Sequence, residues 1–181
     1  MQTSLNIKEP GLNTLPLGVE RYVVNGGGLT GVQIYPDDEI EIINNEGNQI
    51  CEITVFNKDG KSDLGILNLK ENKNCSEIKK ILFKKNETSL QALFQLKKRN
   101  LDIEKSKSAI LFNEDTNAEE IIKLKSKDKC YCIFSAPGNS MLIHEQNPST
   151  DLTVLVKRAI KKKDKEFSLI PDPVYDPSGE I

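Results

Sequence analysis

The chain of 181 residues is long enough for one domain with its own hydrophobic core. Hydrophobic residues make up 37% and aromatic residues 6%, with no Trp, so the core is expected to consist mainly of Ile, Leu and Val. The 25 basic residues nearly balance the 27 acidic ones, which argues against a dedicated nucleic-acid-binding protein, because such proteins usually carry a clustered basic excess.

No stretch approaches the roughly 18 apolar residues of a membrane span, and the N-terminal residues lack the basic and apolar regions of a signal peptide. We therefore predict a cytoplasmic protein that contacts neither membrane nor nucleic acid. A domain of this size does not need disulfides for stability. We expect the four cysteines to be free thiols: Cys51, Cys75, Cys130 and Cys132.

An extended N-terminal arm is predicted over residues 1–18, where prolines and glycines occur without a period. Residues 19–25 then have the pattern of a short strand, and residues 30–34 have that of a second one. The three glycines at positions 26–28 lie between these strands. A glycine triple can bind phosphate when it leads into a helix, but this one leads into a strand, so a flexible hairpin tip is the preferred interpretation.

The strongest pattern lies in residues 31–57, and it predicts a β-hairpin. Residues 44–48 are rich in Asn and Gly, which supply the positive φ angles of a turn, and the second strand is expected to begin at Gln49. In both halves, apolar residues alternate with their neighbours at the two-residue period of a strand, so one face of each strand should be buried: Ile40, Ile42, Cys51, Ile53 and Val55.

Two short helices are predicted after this hairpin, as an insertion over about residues 76–100. The first helix has Ser76 as its N-cap. The second has Thr88 as its N-cap, with Gln91 three residues later in a capping-box pattern. Asn100 is suited to the left-handed residue that ends this helix.

Strand patterns return in five segments, at residues 108–112, 120–125, 130–136, 140–145 and 151–158. Pro137 and Gly138 form a turn dipeptide between the third and fourth segments, which predicts a hairpin. The expected fold class is mainly β, an antiparallel β-barrel or sandwich with a two-helix insertion. The domain is expected to cover residues 19–159.

The chain closes with a basic run followed by a proline-rich segment. The run begins at Lys157 and continues to Lys165, and a solvated linker is preferred here over a nucleic-acid site. Three prolines then enforce an extended path. Residues 160–181 are therefore predicted to be a linker toward a following domain.

Three pieces of the sequence together resemble a known family. They are residues 18–22 with the glycines that follow, residues 46–52 with residues 55–56, and residues 135–138 with residues 145–152. As a set they are similar to the N-terminal domain of long aminomethyltransferase-like proteins, a domain of the urea-carboxylase-associated family. In those proteins a second copy of the domain follows, and then a folate-binding domain similar to the glycine-cleavage T protein.

The resemblance implies tetrahydrofolate as a cofactor of the complete protein, and neighbouring domains of the same polypeptide as partners. No cofactor is assigned to this domain itself. Relatives that look catalytic or metal-binding carry a Cys after a Gly-x-Gln turn, then a later His-Asp pair and a further Cys. This chain matches the pattern at Gln49 and Cys51 alone, because helices are predicted where the later ligands would fall.

A zinc site has to be considered, because zinc prefers Cys and His ligands. Cys130 and Cys132 lie on one face of a predicted strand, and His144, the only histidine, lies on its expected partner strand. With a two-residue turn, however, Cys132 opposes Ile143 and His144 opposes Tyr131, on the other face of the sheet. We therefore predict no metal site and two buried thiols.

The catalytic candidates are Cys51, Glu52 and His144. A nucleophilic Cys51 needs a base, whereas Glu52 points to the opposite face of the strand, so core packing is preferred for Cys51. A carboxylate at a barrel mouth can act as an acid or base, which also draws attention to Glu145 and Asp151. Exposure on the sheet is the expected state of any one of these carboxylates.

From these observations we predict a non-catalytic accessory or docking domain of a folate-dependent, aminomethyltransferase-like protein. One alternative is a small metal-dependent hydrolase of amidines or ureas. The other is a small-molecule-binding barrel with a regulatory role. The sequence patterns do not rank these two alternatives and do not specify an oligomeric state.

Overall fold

The structure is a computed structural model that describes residues 15–73, 75, 77–138 and 148–159. Most of the predicted N-terminal arm and the whole predicted linker lie outside these residues and stay predictions. The strands are β1 (Val19–Val24), β2 (Leu29–Ile34), β3 (Glu39–Asn44), β4 (Cys51–Asn57), β5 (Ser108–Phe112), β6 (Glu120–Lys125), β7 (Cys130–Ser135) and β8 (Leu152–Lys157). A 3-10 turn (Leu64–Leu67) and two helices, α1 (Glu77–Leu82) and α2 (Glu87–Lys98), lie between β4 and β5.

The strands form two four-stranded antiparallel sheets. The first sheet has the order β1-β8-β3-β6, and the second has the order β2-β7-β4-β5. The prediction of a mainly β fold is confirmed, and a sandwich fits the two sheets. Their inner faces share one core in which aliphatic side chains dominate, including Val24, Ile34, Ile40, Ile42, Ile53, Val55, Leu152 and Val154.

The two helices cover the outer face of the second sheet. A second apolar cluster fills this contact, with Phe56 of β4, Ile133 of β7, Ile78 and Leu82 of α1, and Leu96 of α2. As a result β4 is buried on both of its faces along nearly its whole length. We expected one face of this strand to be buried, and the helices, which come later in the sequence, cover the other.

The predicted hairpin of residues 31–57 is wrong. Strand β3 pairs with β6 and β8 in the first sheet, whereas β4 pairs with β5 and β7 in the second. The connection therefore crosses between the sheets, and Asn44 fixes its path. The Asn44 amide donates from Nδ2 to the carbonyl of Gln49 at 2.9 Å, and its Oδ1 accepts from the backbone N–H of Gly47 at 3.0 Å. Gly47 and Asn48 have positive φ, as expected, but they serve a crossing connection.

The glycine-rich connection between β1 and β2 also crosses between the sheets. Strand β1 pairs with β8, and β2 pairs with β7, so residues 25–28 are not the tip of a hairpin. Both corrections have the same physical cause. Alternation of apolar residues identifies a strand and its buried face, but a sandwich offers each strand partners in either sheet.

The hairpin predicted at Pro137 and Gly138 would require a free edge on β7. This strand pairs along its whole length with β2 on one edge and with β4 on the other. Since a strand has two edges, both edges of β7 are occupied by described strands. The register argument that set His144 opposite Tyr131 therefore fails, and residues 139–147 lie outside the described residues.

The start of α2 lies earlier than predicted. Its N-cap is Asn86 rather than Thr88, and the Oδ1 of Asn86 accepts from the backbone N–H of Ser89 at 2.8 Å. The Oγ of Ser89 accepts in return from the backbone N–H of Asn86, which completes a capping box with Ser in the place of the usual Glu or Gln. Asn100 has a φ of 58°, which confirms the left-handed residue predicted after the helix. Ser76, the predicted N-cap of α1, lies outside the described residues.

The first two residues of the basic run belong to the folded domain. The Nζ of Lys157 lies 2.7 Å from Oε1 of Glu41. The guanidinium of Arg158 contacts Oε2 of Glu20 at 2.5 Å and Oδ2 of Asp38 at 2.6 Å. These ion pairs connect the end of β8 to β1, to β3 and to Asp38 just before β3, so this part of the run is not a solvated linker.

Candidate functional site

Parts of the three pieces of sequence that carry the family resemblance meet at one end of the sandwich, namely residues 26–28, 46–50, 136–138 and 148–151. Both crossing connections lie there, together with the residues on either side of the segment between β7 and β8. The Nε2 of Gln49 donates to the carbonyl of Pro137 at 2.8 Å, and its Oε1 accepts from the backbone N–H of Thr150 at 2.7 Å. The backbone N–H of Gly26 donates to Oδ1 of Asp151 at 2.8 Å. Side chains thus tie together segments that are far apart in sequence.

Gln49 is the centre of this arrangement, and its amide is fully used by the protein. The side chain is buried, and its Nε2 also donates to the carbonyl of Ile50 at 2.9 Å. An amide that accepts once and donates twice in this way has little capacity left for a ligand. Gln49 therefore positions the surrounding loops.

The glycine triple does not offer free amides to a phosphate. All three of its backbone N–H groups donate within the protein, to Oδ1 of Asp151, to the carbonyl of Ala136 and to the carbonyl of Asn25. Asp151, one of the carboxylates of interest, is exposed and serves here as an acceptor. Close contact with the backbone of Ser149 also requires a glycine at position 26, since a Cβ there would lie 2.3 Å from the carbonyl oxygen of Ser149.

Cys51 lies on the inner face of β4 and is fully buried in the core between the sheets. Burial raises the pKa of its thiol far above the ordinary value, and the charge of Glu52 raises it further. A thiol in this state is neither a nucleophile nor a metal ligand at neutral pH. Its environment is that of a small apolar side chain.

Glu52 lies on the opposite face of β4, beneath α1. We expected exposure for a carboxylate on the sheet, but only 2% of this residue is exposed. Its Oε2 accepts from the backbone N–H groups of Glu77 at 2.9 Å and Ile78 at 3.3 Å, at the start of α1. The carboxylate therefore supplies acceptors to N–H groups that no residue within the helix can satisfy.

The second oxygen of Glu52 has a polar neighbour that also lacks a partner. Glu52 is paired directly with Ser135 of β7, so both side chains lie on the same face of the sheet. Glu52 Oε1 and Ser135 Oγ are buried, and neither has a hydrogen-bond partner among the residues that the structure describes. Buried polar atoms without partners are rare in proteins, so we define these two residues as the buried polar pair.

Cys75 lies near this carboxylate, and sequence analysis did not single it out. It is partly buried, and burial, together with the charge of Glu52, raises the pKa of its thiol to about 11. Its position in the sequence just before α1 places it near Glu52, because Glu52 binds the start of the same helix. Burial and the carboxylate together make this thiol harder to ionise than an exposed cysteine.

Cys130 and Cys132 lie together on the inner face of β7. Their sulfur atoms are 3.8 Å apart, and the Oγ of Ser126 lies 3.6 Å from the sulfur of Cys130. The hydrogen bond with Cys130 and complete burial raise the pKa of the Cys132 thiol. Within the described ranges, no group of three or more His, Cys, Asp and Glu side chains is arranged to hold a metal ion. His144 and Glu145 lie outside those ranges, so the prediction of no zinc site stays a prediction.

Comparison with known proteins identifies an enzyme relative. The chain is 33% identical to the trimethylamine-oxide aldolase of Ruegeria pomeroyi over 176 residues. The match covers 97% of this chain but 22% of the aldolase, so the chain spans about a fifth of the length of the curated relative. No protein-family model matches the chain.

This relative overturns the predicted function. A non-catalytic accessory or docking domain of an aminomethyltransferase was expected, whereas the relative is an aldolase, which is a lyase and not a transferase. The two alternatives, a hydrolase and a regulatory barrel, gain no support from it. The prediction failed because the motifs that carried it are turns and packing residues such as Gln49, and such residues specify a fold without specifying a reaction.

The described helices were compared with the requirements for crossing a membrane. Among the described residues, none of the helices combines the length and the apolar character that crossing a bilayer requires.

Proposed function

We propose that this chain forms part of an aldolase that acts on trimethylamine oxide. The observation that carries the proposal is the 33% identity to trimethylamine-oxide aldolase over 97% of the chain. A match of this extent includes both sheets and the helical insertion, so the proposal does not depend on one short motif.

The proposed reaction balances without a further reactant. An aldolase releases an aldehyde, and the one-carbon aldehyde that trimethylamine oxide can release is formaldehyde, which leaves dimethylamine. The bond between nitrogen and one methyl carbon breaks, oxygen moves from nitrogen to that carbon, and a proton of the same methyl group moves to nitrogen. The carbon is oxidised and the nitrogen is reduced, so no external oxidant or reductant is needed.

The first test is product formation by the complete protein that contains this chain. We expect formaldehyde and dimethylamine in equal amounts when the purified protein is incubated with trimethylamine oxide. Both products can be quantified separately, which distinguishes this reaction from a reduction to trimethylamine. A folded, complete protein that forms neither product would contradict the proposal.

The buried polar pair is where this domain can be tested for a contribution to turnover, because no described residue forms a hydrogen bond with Glu52 Oε1 or Ser135 Oγ. Ser135→Ala removes a hydroxyl that has no partner among the described residues and should preserve stability. Ser108→Ala is the matched control, since its Oγ lies 2.7 Å from the hydroxyl of Thr54 on the same sheet face. A lower kcat in Ser135→Ala but not in Ser108→Ala supports the pair, and an unchanged kcat in both excludes it.

Several expectations from the sequence remain proposals for the complete protein. They are the relationship to the urea-carboxylase-associated family, tetrahydrofolate as a cofactor outside this domain, and a cytoplasmic location. No described residue is assigned to tetrahydrofolate. Its part can be tested by measuring whether tetrahydrofolate binds the purified complete protein, because tetrahydrofolate removes free formaldehyde even without an enzyme.

Neighbouring parts of the same polypeptide remain the proposed partners, and the helical pair supports this. Three large apolar side chains are exposed on it: Phe83 is 43% exposed, Leu90 55% and Phe94 67%. The relative is several times longer than this chain, so the complete protein is expected to have further domains that could cover this face. Phe94→Ser should leave the isolated chain as stable as before and lower the stability of the complete protein.

A further inference from the structure

A cleft of about 230 Å³ opens between the C-terminal end of α2 and the second sheet, where β2 and β4 end and β7 begins. Three of its lining residues are basic, namely Lys58, Arg99 and Lys129, and none is acidic. The cleft lies on the outer face of the sheet, at the end opposite to Glu52. Its charge distinguishes it from the rest of a chain whose charges nearly balance.

The three basic side chains of the cleft are not neutralised by the protein. Within the described residues, ion pairs involve other basic side chains: Lys80, Lys105, Lys107, Lys123, Lys125, Lys157 and Arg158. Lys58, Arg99 and Lys129 have no carboxylate partner among those residues. Positive charge that converges on a concave surface without a counter-charge attracts anions.

Two of these cations are oriented by aromatic rings. The guanidinium of Arg99 lies 5.4 Å from the ring centre of Tyr131, and its NH1 donates to the carbonyl of Gln95 at 3.1 Å. The Nζ of Lys129 lies 5.6 Å from the ring centre of Tyr35. A cation held over an aromatic ring keeps its charge and most of its hydrogen-bond donors, so these contacts position the groups without neutralising them.

The wall of the cleft is fixed by close packing. Tyr131 lies across Gly31 of β2, and a Cβ at position 31 would come within 2.2 Å of the Tyr131 hydroxyl oxygen. The Nε2 of Gln33 donates to the carbonyl of Cys130 at 2.6 Å. The Oδ1 of Asn57 accepts two backbone N–H groups of the turn after β4, so its Nδ2 remains as a donor. A site with fixed walls loses little entropy when it binds a ligand.

The features that oppose anion binding near the cleft include the C-terminal end of α2 and carboxylates that adjoin lining residues in the sequence. The C-terminal end of α2 carries a partial negative charge of about half an elementary charge. Its last carbonyls already accept hydrogen bonds from the backbone N–H groups of Arg99 and Asn100. Asp128 precedes Lys129, but its Oδ1 accepts from the backbone N–H of Lys129 at 2.7 Å. The carboxylates next to lining residues in the sequence do not themselves line the cleft, whereas the three basic side chains do.

We propose that this cleft binds a compact polyvalent oxyanion, either a phosphate group or a small polycarboxylate. The planar guanidinium of Arg99 matches two oxygens of either group, and the two lysines add positive charge. The cleft is smaller than the roughly 300–1,000 Å³ of sites for drug-sized ligands, which favours a compact anion. Trimethylamine oxide has no net charge, so this ligand is additional to the proposed substrate.

The test is a titration of the 181-residue chain with pyrophosphate, citrate and trimethylamine oxide at low ionic strength, followed by amide NMR shifts. Pyrophosphate or citrate should give saturable shifts at Lys58, Leu101 and Tyr131, and trimethylamine oxide should not. Arg99→Gln should weaken binding by about tenfold or more, because it removes charge-assisted hydrogen bonds. Lys84→Gln is the matched control, since it removes an exposed charge from the helical insertion outside the cleft.

The results of the titration distinguish a phosphate group from a polycarboxylate as the ligand. Tighter binding of pyrophosphate assigns a phosphate group, and tighter binding of citrate assigns a polycarboxylate. Shifts that do not saturate, or an equal loss of affinity in Arg99→Gln and Lys84→Gln, would overturn the site. None of these results depends on turnover of trimethylamine oxide, so failure of the cleft and failure of the aldolase proposal can be distinguished.

Discussion

The carboxylate of Glu52 on β4 caps the start of α1, where its Oε2 lies 2.9 Å from the backbone nitrogen of Glu77. This contact joins the second sheet to the helical insertion through a charged group that is almost completely buried. The cost of removing a carboxylate from water is offset in part by the two N–H groups that it accepts. The Oε2 of Glu52 therefore has a structural role, because it accepts hydrogen bonds from the start of α1.

Glu52→Ala should lower the free energy of unfolding by about 2 kcal/mol, because it leaves buried N–H groups without an acceptor. Glu52→Gln keeps one carbonyl oxygen and should lower it by about half as much. Urea denaturation measures both values. The matched control is Glu39→Ala, an exposed strand residue, which should change stability by less than about 0.5 kcal/mol. Equal stability of Glu52→Ala and the wild type would show that the cap contributes nothing.

Gln49→Ala should lower the free energy of unfolding by about 2–3 kcal/mol, because three hydrogen bonds among buried or partly buried groups are lost together. Gln49→Glu should be at least as harmful, since it turns a carboxylate toward the carbonyl oxygens of Ile50 and Pro137. The two variants and the wild type can be compared by thermal unfolding. Gln91→Ala, an exposed residue on α2, should leave the midpoint unchanged. Tolerance of Gln49→Glu would contradict the observed orientation of the amide.

Native protein should react with iodoacetamide at Cys75 before its other described cysteines, because Cys51, Cys130 and Cys132 are buried. The rate should be low at pH 8 and rise toward pH 11, since burial and the charge of Glu52 raise the pKa of this thiol to about 11. Mass spectrometry of peptides at several pH values gives the rates. In the Glu52→Gln variant, the increase in the labelling rate of Cys75 should begin at lower pH. Rapid labelling of Cys132 in the native state would be incompatible with the packed core.

Part of the stability that the wild type loses in acid should be lost because Glu20 becomes protonated. The hydrogen bond with Arg158 lowers the pKa of Glu20 below its ordinary value. A carboxyl group whose pKa is lowered by folding stabilises the protein above the ordinary pKa, and this contribution is lost as pH falls through the lowered value. Glu20→Gln should therefore lose less stability than the wild type from about pH 5 to pH 3. Urea midpoints across this range test it, with Glu46→Gln, an exposed carboxylate, as the control. An identical acid response of Glu20→Gln and the wild type would exclude the linkage.

The sequence by itself determined where most strands lie. Alternation placed β5 and β6 with the bounds that the structure has, and it identified Ile40, Ile42, Ile53 and Val55 as core residues. It also located the helical insertion and the left-handed Asn100. These features could be predicted because they depend on neighbours in the chain: the two-residue period of a strand and the chemistry of turns and caps.

Only the tertiary structure decided which strands pair and what covers them. The hydrogen bonds of Asn44 send the chain from one sheet to the other, and Gln49 joins residues about a hundred positions apart, which no local period records. Burial of Glu52 depends on α1. The basic cleft exists because Arg99 and Lys129, which are far apart in the sequence, line the same concave surface. Local sequence patterns predict which face of a strand or helix is buried. Contacts between distant segments decide the pairing of strands and the chemistry of the surfaces that they form.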